Sequence, residues 1–188
     1  IVGMPLRVDD QLFNVAVVCC SGQILAAVPK TYIPGYKEFY EPRWFAPASR
    51  LRSREITLCG QRVSIGTDVI VEALNVPDLR LAVEICEDLW MPIAPSAHHA
   101  LHGALLLANP SASHELIGKA RYRRGLVDGQ SARCIAAYLY ASCGDGESTS
   151  GVSFGGHAII AENGGVLAES KRFQRGGQLM VADVDLER

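Results

Sequence analysis

With 188 residues, 48% of them hydrophobic, the chain carries enough apolar material for one substantial core and too little length to favour two domains. Eighteen Lys and Arg against twenty Asp and Glu leave a formal net charge of -2, which excludes the strong positive field of a nucleic-acid or anionic-membrane binder and leaves small polar substrates as the class to consider. Six cysteines without a C-x-x-C pair, with no signal-peptide pattern and no long apolar stretch, point to a reduced, cytoplasmic protein that does not span a membrane.

The chain opens on Ile1-Val2-Gly3-Met4, without an initiator Met and already inside a strand, which reads as a truncation at the front. Short β-rich runs follow at 13–20, 24–28, 62–65, 79–85, 105–108, 158–161 and 179–184. Ser21-Gly22 and Asn163-Gly164-Gly165 lie between apolar runs and predict hairpins, so the sheet is mixed rather than purely parallel. Adjacent Cys19 and Cys20 are expected in the core, facing opposite sides of their strand. Helices are predicted over 94–103 and from about 114 to 143. The second carries Arg121, Arg123, Arg124 and Arg133 outside an apolar stripe that includes Leu126, Ile135 and Leu139. Strands with helices over one face give an α/β layered sandwich, forming one domain over 1–188.

Two segments carry chemistry. Leu81-Ala82-Val83-Glu84-Ile85-Cys86-Glu87-Asp88-Leu89-Trp90 runs an apolar strand into an acidic turn and puts Cys86 at the strand end, where α/β folds open their crevices. A lone cysteine is more often a small buried hydrophobe, but three acids beside it are poor company for an apolar core. They would also raise the thiol pKa unless a cation offset them. Lys30, in Val28-Pro29-Lys30-Thr31-Tyr32-Ile33-Pro34, sits at another strand end and supplies that cation. Taken alone it reads as a snorkelling surface lysine.

Together the two segments resemble the nitrilase superfamily of carbon-nitrogen hydrolases, which use a Glu-Lys-Cys triad in that chain order. Within it, Pro29-Lys30-Thr31-Tyr32-Ile33-Pro34, the stretch from Tyr36 to Phe45 with Glu38-Phe39-Tyr40-Glu41, and Glu84-Ile85-Cys86-Glu87-Asp88-Leu89-Trp90 are similar to the glutaminase domain of glutamine-dependent NAD synthetases. So are Ala108-Asn109-Pro110-Ser111-Ala112-Ser113, Ser131-Ala132-Arg133-Cys134, Gly144-Asp145-Gly146-Glu147-Ser148-Thr149 and the Glu162-Asn163-Gly164 turn, so the similarity runs over nearly the whole chain.

The resemblance implies a nitrilase-like α-β-β-α sandwich with a mixed sheet, present as a partial domain. It implies that Cys86 attacks the side-chain amide of glutamine and forms a glutamyl thioester. Ammonia then leaves for the ATP-dependent conversion of deamido-NAD to NAD. Lys30 and the backbone N–H of Glu87 would hold the oxyanion. Glu38 matches the second, structural glutamate beside the triad, and Tyr36, Glu87 and Ser113 match positions that hold glutamine. Ser113 reads equally well as a helix N-cap. The partners implied are glutamine, a synthetase domain of the same parent chain and further copies in a homo-oligomer. Nucleic acid and membrane are not among them. No cofactor belongs to this domain, ATP and Mg being needed only by the synthetase domain.

The triad glutamate should lie upstream of Lys30, yet no Glu occurs among residues 1–29, so the general base is expected outside this chain and the isolated chain is expected to be inactive. The alternatives are a stand-alone amidase or carbamoylase of the same superfamily and a non-catalytic nitrilase-like module. His98 and His102 form an i, i+4 pair, but no third ligand stands at matching spacing and no metal is expected. Arg43, Arg50, Arg52 and Arg54 read as a solvated loop or a contact surface for the absent domain.

Overall fold

The computed structural model describes residues 1–187. The first sheet contains β1 (Val2–Val8), β2 (Gln11–Cys20), β3 (Gln23–Pro29), β4 (Glu55–Leu58) and β5 (Gln61–Ile65) in the order β1-β2-β3-β5-β4. The second contains β6 (Ile70–Glu72), β7 (Arg80–Val83), β8 (Leu106–Ser111), β9 (Ala137–Ser142), β10 (Ala158–Glu162) and β11 (Gly165–Glu169) in the order β11-β10-β9-β8-β7-β6. Both sheets are mixed: β3 pairs β5 in parallel, β8 runs parallel to β7 and β9, and the remaining pairs are antiparallel.

Tight turns set the register. Ser21-Gly22 and Asn163-Gly164 make the hairpins β2–β3 and β10–β11, and Asp9-Asp10 and Cys59-Gly60 make two more. At all four turns both residues have positive φ, the backbone that matches the right-handed twist of the flanking strands.

Side-chain alternation divides the apolar residues among three layers. Ala16, Val18, Ala26 and Val28 of the first sheet meet Val83, Ile85 and Ala108 of the second, forming the interior of the sandwich. Leu107, Tyr138, Tyr140, Ile159 and Ala161 on the far face of the second sheet pack against α1 (Pro95–Leu101) and α2 (Lys119–Cys134). The far face of the first sheet, with Phe13, Val15, Val17, Ala27, Val63 and Ile65, is covered by Ala46 and Leu51 from the β3–β4 connection. Among the described residues the helices thus cover one outer face of an α/β sandwich, and the other is closed by irregular chain. None of these helices is long and apolar enough to cross a membrane.

Several expectations are corrected. The helix predicted to 143 stops at Cys134, where Ile135 adopts a left-handed C-cap at φ 48, and residues 137–142 become the central strand β9. Leu139 therefore lies on a strand, Ile135 is exposed, and Arg123, expected on the polar face, is fully buried. The strand predicted at 179–184 does not form, and Leu179 and Val181 are solvent-exposed there. Cys19 and Cys20 are exposed free thiols, because the hairpin end carries them past the covered part of the sheet.

Candidate active site

The chain leaves β7 through Glu84 and Ile85 and turns sharply at Cys86, which opens a 3-10 turn over Cys86–Trp90 with a left-handed φ of 48. For a residue other than Gly this conformation costs about 1–3 kcal/mol and persists only where its surroundings over-determine it. Two sets of hydrogen bonds do so. Asn109, within β8, accepts the Cys86 N–H at 2.9 Å through Oδ1, and its Nδ2 lies 3.5 Å from the Cys86 carbonyl. The buried Asp88 carboxylate accepts the N–H groups of Ile85 and Tyr32, both at 2.8 Å, and of Thr31 at 3.4 Å. It thereby ties the turn after β7 to the segment after β3, which carries Lys30.

Cys86 and Lys30 line one cavity of about 610 Å³, together with Glu38, Phe39, Glu41, Glu87, Ser111, His114 and Cys143. The Lys30 side chain is buried, and its ammonium is ion-paired with Glu41 in a short contact. Glu41 also accepts Asn14 Nδ2 at 3.0 Å. Glu38, the glutamate expected beside the triad, instead accepts His114 Nε2 at 2.6 Å. Two residues, Phe39 and Tyr40, separate the two acids, and the 3-10 turn Glu41–Arg43 brings the later one back under the end of β3.

Tyr36 lines an adjoining groove of about 600 Å³, and Glu87 borders both spaces. The Tyr36 hydroxyl donates to Glu87 at 2.7 Å, and burial with this carboxylate pushes the phenol pKa well up. Ser113, expected at the ligand, is buried behind the wall formed by Ala112 and His114, with its hydroxyl accepting Arg123 Nη2 at 3.2 Å. It is not a helix N-cap, since Gly118 holds that place before α2.

Lys119 is a site residue that the motifs did not single out. Its ammonium lies 3.1 Å from His114 Nδ1 and faces the rings of Phe39 and Trp90. Burial pushes it down, with nearby Arg123 adding to that, while Cys86 and Glu38 pull it back up. With Nε2 donating to Glu38, the His114 ring is neutral and its Nδ1 accepts from Lys119. Burial and the Lys119 charge likewise hold its pKa below the usual value. The detectable signal was a lysine in the first turn of a helix with no acid beside it, against the helix dipole.

Beneath the cavity, Arg123 donates to Glu115 at 2.9 Å and approaches His157 Nδ1 at 3.0 Å and the Ser113 and His114 carbonyls at 3.4 and 3.3 Å. Burial pushes Cys143 up to about 11, so it faces the cavity as a neutral thiol. The histidines of α1 stand apart from this site. His99 Nε2 donates to the Thr67 carbonyl at 2.7 Å and His102 Nδ1 to that of His98 at 2.8 Å.

Residues 1–188 match the carbon-nitrogen hydrolase family. The chain belongs to that family. It is 49% identical over 187 residues to the glutamine-dependent NAD(+) synthetase of Mycobacterium tuberculosis, an alignment that takes in 100% of this chain and 27% of that protein. The crystal structure of a glutamine-dependent NAD(+) synthetase from Cytophaga hutchinsonii superposes with a TM-score of 0.77 at 30% identity, covering 90% of this chain and 27% of that one. A nitrilase-superfamily amidase from Nesterenkonia AN1 superposes with a TM-score of 0.69 at 18% identity over 93% of this chain and 57% of its own, which establishes the shared fold.

Proposed function

We propose that this carbon-nitrogen hydrolase chain hydrolyses the side-chain amide of glutamine and supplies ammonia to a synthetase that makes NAD. The observation that carries the reading is the single cavity lined by Cys86 at a strained strand end and by the buried Lys30–Glu41 pair. The Cys86 thiolate attacks the amide carbon, and the negative charge moves to the former carbonyl oxygen. Lys30 and the Glu87 N–H are the donors for that oxyanion. Collapse breaks the C–N bond and the amide nitrogen leaves as ammonia with an added proton. Water then cleaves the glutamyl thioester, giving glutamate and the free thiol. Both proton transfers need a base, which we assign, from the Glu-Lys-Cys order of the family, to a glutamate upstream of Lys30 and outside residues 1–188, since no Glu occurs among residues 1–29.

A free α-amino acid carries both charges. Glu87, steadied by Tyr36, offers a carboxylate for the α-ammonium group, and Lys119 offers a cation for the α-carboxylate. Ser113 acts on this reading through Arg123, holding the wall in place. Similarity to NAD synthetases favours glutamine over the substrates of a stand-alone amidase or carbamoylase.

The test is a paired assay of Cys86→Ala in the full-length protein, with glutamine and then ammonium as nitrogen donor. Glutamine-dependent NAD formation should disappear while ammonium-dependent formation stays near wild type. Equal loss with both donors, or no loss with glutamine, refutes the assignment.

A further inference from the structure

Cys86 is held by a chain of buried polar groups that no step of the reaction uses. Asn109 Oδ1 accepts the Cys86 N–H at 2.9 Å and the Ser111 hydroxyl at 3.1 Å. Asn109 Nδ2 donates to the Tyr138 hydroxyl at 3.1 Å and lies 3.5 Å from the Cys86 carbonyl. Tyr138 in turn donates to Glu84 in a short hydrogen bond, and the other Glu84 oxygen accepts the Ser96 N–H at 2.7 Å. Asn109, Tyr138, Glu84 and Ser96 are each at most 2% exposed.

Topology explains why these groups meet. Glu84 follows β7, Asn109 lies on β8 and Tyr138 on β9, three adjacent parallel strands, and all three side chains are on the face that the helices cover. The first turn of α1 closes the chain through Ser96. The amide of Asn109 therefore has a fixed orientation: its oxygen must face the two donors and its nitrogen the Tyr138 oxygen.

We infer that Asn109, oriented by Tyr138 and Glu84, is the positioning residue that fixes the left-handed backbone of Cys86 and so aims its thiol into the cavity. This rests on the reading of Cys86 as the nucleophile. Asn109 contacts the backbone on either side of the Cys86 Cα, where rotation of φ would swing the side chain away from Lys30. Of the glutamine-facing groups, Tyr36 and Lys119 lie on other segments; Glu87 shares the turn with Cys86, but its carboxylate is held by Tyr36 and the turn by Asp88, so loss of Asn109 should lower turnover more than it weakens substrate binding. Tyr138 acts one bond further away and should have a smaller effect.

The experiment uses the full-length protein and compares wild type, Asn109→Ala, Tyr138→Phe and Cys86→Ala for glutamine kcat and KM. Alkylation of Cys86 by iodoacetamide is followed in parallel by mass spectrometry of its peptide. Asn109→Ala should lower kcat by about a hundredfold, the usual scale for a reacting group displaced by about 1 Å, with KM within about threefold. Tyr138→Phe should lower kcat about tenfold with the same unchanged KM, the smaller loss expected of a group that supports the positioning residue instead of touching the nucleophile's backbone. Alkylation should slow in the same order. A wild-type kcat in Asn109→Ala overturns the inference. Where that variant does not accumulate as folded protein, a wild-type kcat in Tyr138→Phe overturns it equally, and so does a loss expressed in KM alone. Full glutamine turnover in Cys86→Ala refutes the nucleophile assignment instead, so the two failures are told apart.

Discussion

Asp88 offers the sharpest test of how the site is held together. Its buried carboxylate accepts three backbone N–H groups, two at 2.8 Å from Ile85 and Tyr32 and one at 3.4 Å from Thr31, and so joins the strand ends that carry Cys86 and Lys30. With the carboxyl protonated over most of the range below about pH 7, each hydrogen bond contributes about 0.5–1.5 kcal/mol, and an orphaned buried donor costs about 1–3 kcal/mol. The carboxylate's own desolvation offsets part of this, so Asp88→Ala should cost about 3 kcal/mol. Asp88→Asn keeps one carbonyl oxygen for either strong donor and should cost about half as much. Burial pushes the Asp88 carboxyl up to about 7 against the pull of its N–H donors. A folded pKa above the unfolded value gives stability that is fully present below about 3.8 and is lost as pH rises through about 7. The stability difference between wild type and Asp88→Asn, which cannot titrate, should therefore shrink across that window. Urea unfolding of both variants from pH 4 to pH 8, alongside glutamine turnover, measures each part. A loss below about 1 kcal/mol in Asp88→Ala with turnover intact would show that the two loops are held by something else.

Other perturbations separate stability from chemistry. Lys30→Met should cut glutamine turnover on the order of a hundredfold or more in the full-length protein while leaving ammonium-dependent synthesis intact, and wild-type turnover would remove Lys30 from the oxyanion site. Arg123→Met removes one of the two cations on the Glu115 carboxylate, which keeps Arg172 at 3.2 Å, and takes the donor from the Ser113 and His114 carbonyls; it should cost about 3 kcal/mol in urea unfolding, and a neutral result would mean that water replaces the guanidinium. His99 and His157 have pKa values lowered mainly by burial, so their stabilising effect is complete above the unfolded value near 6.5 and is lost as pH falls below it. Substituting His157 by Gln should flatten the acid side of the stability curve, and an unchanged slope would contradict this. Residues 1–188 alone should release little ammonia from glutamine; Cys86-dependent turnover comparable to the full-length protein would place the base inside this chain.

Much of the fold was legible because turn chemistry is local. Ser21-Gly22 and Asn163-Gly164 need positive φ whatever surrounds them, and both hairpins form where these dipeptides predict them. The end of α2 was not legible. Residues 135–142 are Ala- and Tyr-rich without a breaker, and the switch to β9 depends on Ile135 taking a left-handed cap with a parallel strand waiting beside it. Residues 179–184 alternate like a strand, but alternation alone supplies no partner. In the site, Cys86 and Lys30 stood out as strand-end residues. That Glu41 and not Glu38 pairs with Lys30 depends on the path of a connection whose 3-10 turn has no strong sequence signal. Arg123 looked like a solvated helix face because its partners Glu115 and His157 lie in other elements. Asn109 carried a readable sign, a polar amide inside an apolar strand.

The arrangement of charge around the cavity supports the choice of substrate. Glu41 is paired with Lys30, while Glu38 and Lys119 face one another through a neutral His114. Glu87 receives a hydrogen bond from Tyr36 but has no cation against it among the described contacts. A neutral amide would leave Glu87 without an opposite charge and Lys119 with only the carboxylates beyond His114, at a cost set by how far the cavity excludes water. A free amino acid supplies one charge to each, so the site should discriminate against amides that lack the α-ammonium or the α-carboxylate. Glutaramate, which keeps the carboxylate and loses the ammonium, should lose binding through Glu87 alone, and Glu87→Gln should narrow the gap between glutaramate and glutamine. If Glu87→Gln weakens both substrates equally, Glu87 shapes the cavity wall and does not read the ammonium group.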